Sequence, residues 1–83
     1  MSDKPKKLVT IFVNTRQHQV EKDKISFDEI IPLGFDTVPT GNDVQFLVTY
    51  QKGKGHAEGK LLPGKDVEVV DGMIFDVAAT YKS

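Results

Sequence analysis

The chain has 83 residues, enough for one small domain and too few for two. Eleven Lys and Arg against twelve Asp and Glu give a formal net charge of −1, which argues against a dedicated duplex or membrane-surface binder, since both need a concentrated positive field. There is no cysteine, so disulfides, thiolate catalysis and zinc–thiolate or iron–sulfur ligation within this chain are excluded.

Met1 to Lys7 is polar and basic and reads as a flexible lead-in. No apolar run approaches the roughly 20 residues that a membrane helix needs, and Thr10 and Asn14 interrupt what would be a signal-peptide core. A cytoplasmic protein is the expectation.

Leu8 to Val13 is β-branched and aromatic, with Val9, Ile11 and Val13 on one face at the period of a strand. Asn14 to Gln17 supplies turn residues, and His18 to Glu21 returns as a weaker strand with Val20 facing inward. The pair predicts an N-terminal hairpin.

Ile25 to Ile31 carries the sharpest local signal. Ser26 and Glu29 have capping-box spacing, Ile25 and Ile30 occupy the positions of a hydrophobic staple, and Asp28 complements the helix dipole. Phe27, Ile30, Ile31 and Phe35 share one helical face. Pro32 lacks the amide that should bond back to residue 28, so the helix is expected to be short or distorted. Gly34 and the segment 36–43, with Pro39, Gly41 and Asn42, read as its exit and a connecting loop.

Val44 to Tyr50 alternates as a strand, Gln51 to Gly59 is a Gly- and Lys-rich loop, and Lys60 to Leu62 forms a short strand ended by Pro63-Gly64. Val67 to Val70 and Met73 to Val77 flank Asp71-Gly72, a pair that favours a type I′ hairpin; the last strand is open to continuation as far as Thr80. The order predicts an α+β domain over 8–77, a mixed sheet of four to five strands with one short helix packed on one face. A β-grasp topology fits, with a small barrel as the alternative.

Several residues invite a chemical reading. His18 and His56 are the only histidines, and their polar settings favour solvated side chains over a catalytic base or metal ligand. Asp23, Asp28 and Glu29 are close in sequence, but capping and the dipole account for Asp28 and Glu29. Gly53-Lys54-Gly55 with Lys52, His56 and Lys60 lacks the spacing of a phosphate loop, so a solvated hairpin loop is favoured over an anion cradle. No cofactor, no metal site and no enzymatic activity are expected.

The stretches Val9 to Asn14, Ile25 to Ile31, Pro39-Thr40-Gly41, Val48-Thr49-Tyr50, Glu58-Gly59 and Val70 to Val77, with the ending Thr80-Tyr81-Lys82-Ser83, resemble bacterial multiubiquitin-type ubiquitin-like domains over residues 8–83. The resemblance implies a ubiquitin-like β-grasp fold and a modifier, or its precursor, served by a ubiquitin-activating-like enzyme, a conjugating-like protein and a JAB-type peptidase. It implies a conjugation or processing tail at Ala78, Ala79, Thr80, Tyr81, Lys82 and Ser83. It also implies a partner-binding patch on the open sheet face, with Leu8, Phe12, Leu47 and Ile74 as the candidates. Ubiquitin and the related sulfur carriers end in Gly-Gly, where this sequence has Lys82-Ser83. A non-conjugated β-grasp adaptor or assembly module, which binds partners or self-associates through its strand edges or the apolar face, is the second reading.

Overall fold

The computed structural model describes residues 8–21 and 23–81. Strand β1 (Val9–Val13) turns back into β2 (Arg16–Val20) through Asn14 and Thr15, whose φ angles are 51° and 71°. Two successive residues at positive φ make a two-residue type I′ connection, the turn whose twist matches that of the flanking strands. Strand β2 therefore starts at Arg16, two residues earlier than the sequence pattern places it.

A three-residue strand that the hydrophobic pattern does not reveal, β3 (Lys24–Ser26), leads into helix α1 (Phe27–Ile30). Here the expected capping box is present. The Glu29 amide donates to Ser26 Oγ at 3.1 Å and the Ser26 amide donates to Glu29 Oε1 at 3.0 Å. Ile25 and Ile30 are both buried, as a staple requires. The α-helix lasts four residues and tightens at Ile31–Gly34 into a 3-10 turn that accommodates Pro32. Phe35 is already extended, and it packs edge-on against Phe46 with ring centroids 5.8 Å apart.

Strands β4 (Val44–Gln51), β5 (Gly59–Leu61), β6 (Asp66–Glu68) and β7 (Met73–Tyr81) complete the fold. The main sheet runs β2-β1-β7-β4-β5, with β1 and β7 parallel at its centre, and β3 and β6 form a separate antiparallel pair. The first and last long strands lie side by side while the helix crosses one face. This is the β-grasp arrangement, and it decides against the barrel alternative.

Two expectations are corrected. Asp71-Gly72 does not close a hairpin, because β6 pairs with β3 and not with β7. Gly72 alone has a positive φ, +85°, and the Met73 amide donates to Val70 C=O at 3.1 Å, so the turn is of type II and redirects the chain instead of folding it back. The Asp71 carboxylate accepts from the Thr10 amide at 2.8 Å and the Gly72 amide donates to Thr10 C=O at 2.8 Å, which seats this turn at the start of the parallel β1/β7 pair. The second correction concerns the last strand. It runs four residues past Val77, with Ala78–Tyr81 paired against Val44–Leu47. The residues expected to form the first part of a tail thus belong to the sheet. The lead-in 1–7, Lys82 and Ser83 lie outside the described residues.

The core fills the space between sheet and helix. Val9, Ile11 and Val13 from β1, Met73, Phe75 and Val77 from β7, and Val48 and Leu61 meet Ile25, Phe27, Ile30, Ile31 and Val69. Every one of the strand residues has the parity that the period of two assigns to the helix side.

Candidate recognition surface and carboxyl-terminal strand

The opposite parity forms the open face, and the strand register resolves it into rows. Phe12 lies beside Ile74, bracketed by Gln17 on β2 and Gln51 on β4. Two residues further along β7 comes a polar row of Asp76, Thr49 and Lys60. Another two residues on, Ala78 lies beside Leu47, and continuing the Val48↔Leu61 register by one residue puts Leu62 next to Leu47.

The four patch candidates therefore do not form one continuous surface. Phe12 and Ile74 are half-buried neighbours, while Leu47 sits one polar row away, four residues along β7, or about 13 Å. Leu8 precedes β1 and lies about 13 Å from Phe12 in the other direction. Leu8, Leu47 and Leu62 are 47 %, 44 % and 54 % exposed, which makes Leu62 the apolar surface residue that the sequence reading missed. Its signal was present: as the residue after buried Leu61 it must point to the other face.

Strand β7 is held in place by Asn14. Its side-chain oxygen accepts from the Val77 amide at 2.8 Å, and its side-chain nitrogen donates to Val77 C=O at 2.9 Å and to Gly34 C=O at 3.1 Å. The Asn14 backbone amide also donates to Phe75 C=O at 3.0 Å. One side-chain amide thus takes the place of a further backbone rung after β1 has turned away. Sequence reasoning identified Asn14 only as a turn residue.

The remaining candidates are scattered. His18 is not solvated as expected: it is half-buried on the helix side opposite Ile11, and its Nε2 is buried with no hydrogen-bond partner. His56 is exposed in the 3-10 turn Lys54–His56, where its amide donates to Gly53 C=O at 2.9 Å. Glu29 caps α1, and the Asp23 backbone carbonyl accepts from the Val69 amide. The loop after β4 is more ordered than a solvated hairpin loop, since Gly53 is buried and its amide donates to Ala57 C=O at 2.9 Å. Arg16 and Asp36 form an exposed ion pair at 2.6 Å. The Asp36 carboxyl is held below its ordinary range, first by the hydrogen bond from Arg16 and then by its charge, and the Arg16 guanidinium is correspondingly raised.

Among the described residues no group of three His, Asp or Glu side chains is placed to hold a metal ion, and no helix is long and apolar enough to cross a membrane. The arrangement offers surfaces, strand edges and a pinned final strand. Neither curated proteins nor solved structures give a significant match. The family model described as multiubiquitin matches residues 9–81, the span from the first residue of β1 to the last of β7, and the chain belongs to this family of ubiquitin-like domains.

Proposed function

We propose that this protein is a modifier of the ubiquitin type, or the precursor of one, which performs no chemistry itself. Partner enzymes recognise it through the open sheet face and activate, conjugate or process it at its carboxyl-terminal segment. The partners are a ubiquitin-activating-like enzyme, a conjugating-like protein and a JAB-type peptidase of a bacterial cytoplasmic pathway.

The observation that carries the reading is family membership across the whole β-grasp unit, joined to the way β7 brings the chain to the margin of the sheet at Tyr81. Enzymes that adenylate or cleave a tail need it extended and unpaired. Lys82 and Ser83 follow the strand directly, whereas Ala78, Ala79, Thr80 and Tyr81 become available only when they leave Val44–Leu47. On the open face, the Phe12–Ile74 pair framed by Gln17 and Gln51 is the surface a partner would use, an apolar centre within a polar rim. Nucleic acid and membrane have no part in this reading.

Reconstitution tests it. The full chain, incubated with its cognate activating-like enzyme and ATP, with and without the JAB-type peptidase, is expected to yield an adenylate or a covalent adduct detectable by mass. Absence of both, with an enzyme shown to be active on another substrate, overturns the proposal.

A further inference from the structure

Strand β7 passes through two kinds of surroundings. At Ile74 and Phe75 it lies between β1 and β4, and at Val77, where β1 has turned away, the Asn14 side chain bonds its amide and carbonyl. From Ala78 to Tyr81 it has Val44–Leu47 on one side and no strand on the other. Val44–Leu47 is as bare on its own outer side, because β5 pairs with β4 only over Val48–Tyr50. Among the described residues no backbone bond of a turn, loop or cap reaches either segment.

Burial changes at the same point. Val77 and the opposing Val48 are buried, and beyond them no residue of Val44–Leu47 or Ala78–Tyr81 is. On the β4 side, Phe46 is anchored by Phe35, a contact that owes nothing to β7. The β7 side consists of two alanines, Thr80 and Tyr81, which is 63 % exposed. Its one side-chain bond across the ribbon is Thr80 Oγ1 donating to Gln45 C=O at 3.4 Å. A two-stranded ribbon is marginal by itself. A segment held by backbone rungs with little apolar burial opens locally well below the free energy that unfolds the domain.

We propose that Ala78–Tyr81 is a strand latch, which unzips from Val44–Leu47 as a unit while the rest of the fold stays intact. The Asn14 clamp on Val77 sets the limit of the opening. Val44–Leu47 keeps its place through the Phe46–Phe35 contact and the continuation of β4 into the sheet. Closed, the latch withholds its backbone groups in the ribbon. Open, it is an extended strand with those groups free, the form that an enzyme gripping a peptide by strand pairing requires. The closed–open equilibrium then scales the rate at which such an enzyme meets its substrate. The use of the latch in activation or processing rests on the modifier reading; its opening does not.

Native-state hydrogen exchange on the full chain, followed by NMR at low urea, reads the opening. The protected amides of Val44–Leu47 and Ala78–Tyr81 are expected to exchange at least about tenfold faster than those of the β1/β7 pair and than the Val77 amide, with a weaker dependence on urea. Thr80→Gly, which removes a strand-favouring side chain and its bond to Gln45, speeds exchange in the ribbon and leaves the β1/β7 amides unchanged. A lock supplies the second measurement. Gln45 and Thr80 are directly opposed and both exposed, at the Cα separation of about 4.5–5.5 Å that a disulfide spans, and the chain has no cysteine to compete. Gln45→Cys with Thr80→Cys, bridged as shown by intact mass and folded as shown by circular dichroism, is compared with its own reduced form. Chymotrypsin, which grips the residues before its cut in extended form, is expected to cleave after Tyr81 at least about tenfold more slowly in the bridged form. Exchange of the ribbon in step with the β1/β7 pair, exchange of Val77 together with the ribbon, ribbon amides as fast as those of an unstructured chain, indifference to Thr80→Gly, or equal cleavage of bridged and reduced forms overturns the proposal. Cleavage that depends on the bridge, in a chain that its cognate enzymes leave untouched, supports the latch and sinks the modifier reading.

Discussion

Asn14 and Val77 are 63 residues apart in sequence and joined by two hydrogen bonds, Asn14 accepting from the Val77 amide and donating to its carbonyl. Position 14 has to satisfy two demands at once, a positive φ for the β1/β2 turn and a primary amide of the right length to complete the β1/β7 ladder. Asn14→Ala fails both and leaves a part-buried amide and carbonyl on Val77 unpaired. A loss of about 2–3 kcal/mol is expected in urea unfolding, with faster amide exchange at Val77. An unchanged midpoint would mean that β7 is held by its pairing with β1 and β4 and owes nothing to the Asn14 side chain.

Gly34 completes the same junction. A Cβ built at this position would lie 2.8 Å from Val77 Cβ, closer than such atoms approach, and 3.2 Å from Asn14 Nδ2. Gly34→Ala must push the 3-10 turn off β7, and a cost of about 1–3 kcal/mol is expected by thermal or chemical unfolding. Combined with Asn14→Ala the cost should be less than additive, since both changes disrupt one contact.

Thr15 works against the fold. A β-branched residue at φ 71° occupies a conformation that glycine adopts without strain, and Asn-Gly is the favoured pair for this turn. Thr15→Gly should stabilise the protein by about 0.5–1 kcal/mol, the strain relieved exceeding the extra freedom gained by the unfolded chain. A higher urea midpoint at an unchanged slope is the expected result.

Ser26 and Glu29 cap a helix only four residues long, so the cap is a large part of what defines it. Ser26→Ala should cost about 1 kcal/mol in equilibrium unfolding. Ser26→Asp restores an acceptor for the Glu29 amide and should recover most of the loss.

Asp36 gives the protein a small acid-sensitive contribution. Its folded-state pKa is depressed, by the hydrogen bond from Arg16 first and its charge second, so the stabilisation is present above the unfolded pKa and is lost as pH falls through the folded value. Full exposure and screening by salt keep it small. Asp36→Asn should flatten stability against pH below the ordinary carboxylate range and do little at neutral pH, as titrated unfolding at low and high salt can show.

The legible parts of this fold were those written in short spacings. The capping box spans three residues, and the period of two in Val9–Val13, Val44–Gln51 and Met73–Val77 sorted helix side from open side correctly. What was misread depends on partners distant in sequence. Asp71-Gly72 looked like a hairpin turn because nothing local shows that β6 belongs with β3, about forty residues earlier. The role of Asn14 and the continuation of β7 to Tyr81 likewise need Val77 and Val44 in place. The surface candidates shared the right face but fell into separate rows, because parity assigns a side and only register assigns a neighbour.

The central claim is that this chain serves as a modifier acted on at the segment following β7. Intact-mass analysis of the protein isolated from its native host, followed by peptide mapping of its carboxyl-terminal residues, tests it most directly. The account predicts species trimmed or joined to other proteins at or beyond Ala78, with the β-grasp unit intact. Recovery of the whole population as the unaltered 83-residue chain, from cells in which the activating-like enzyme is present and active, would contradict it.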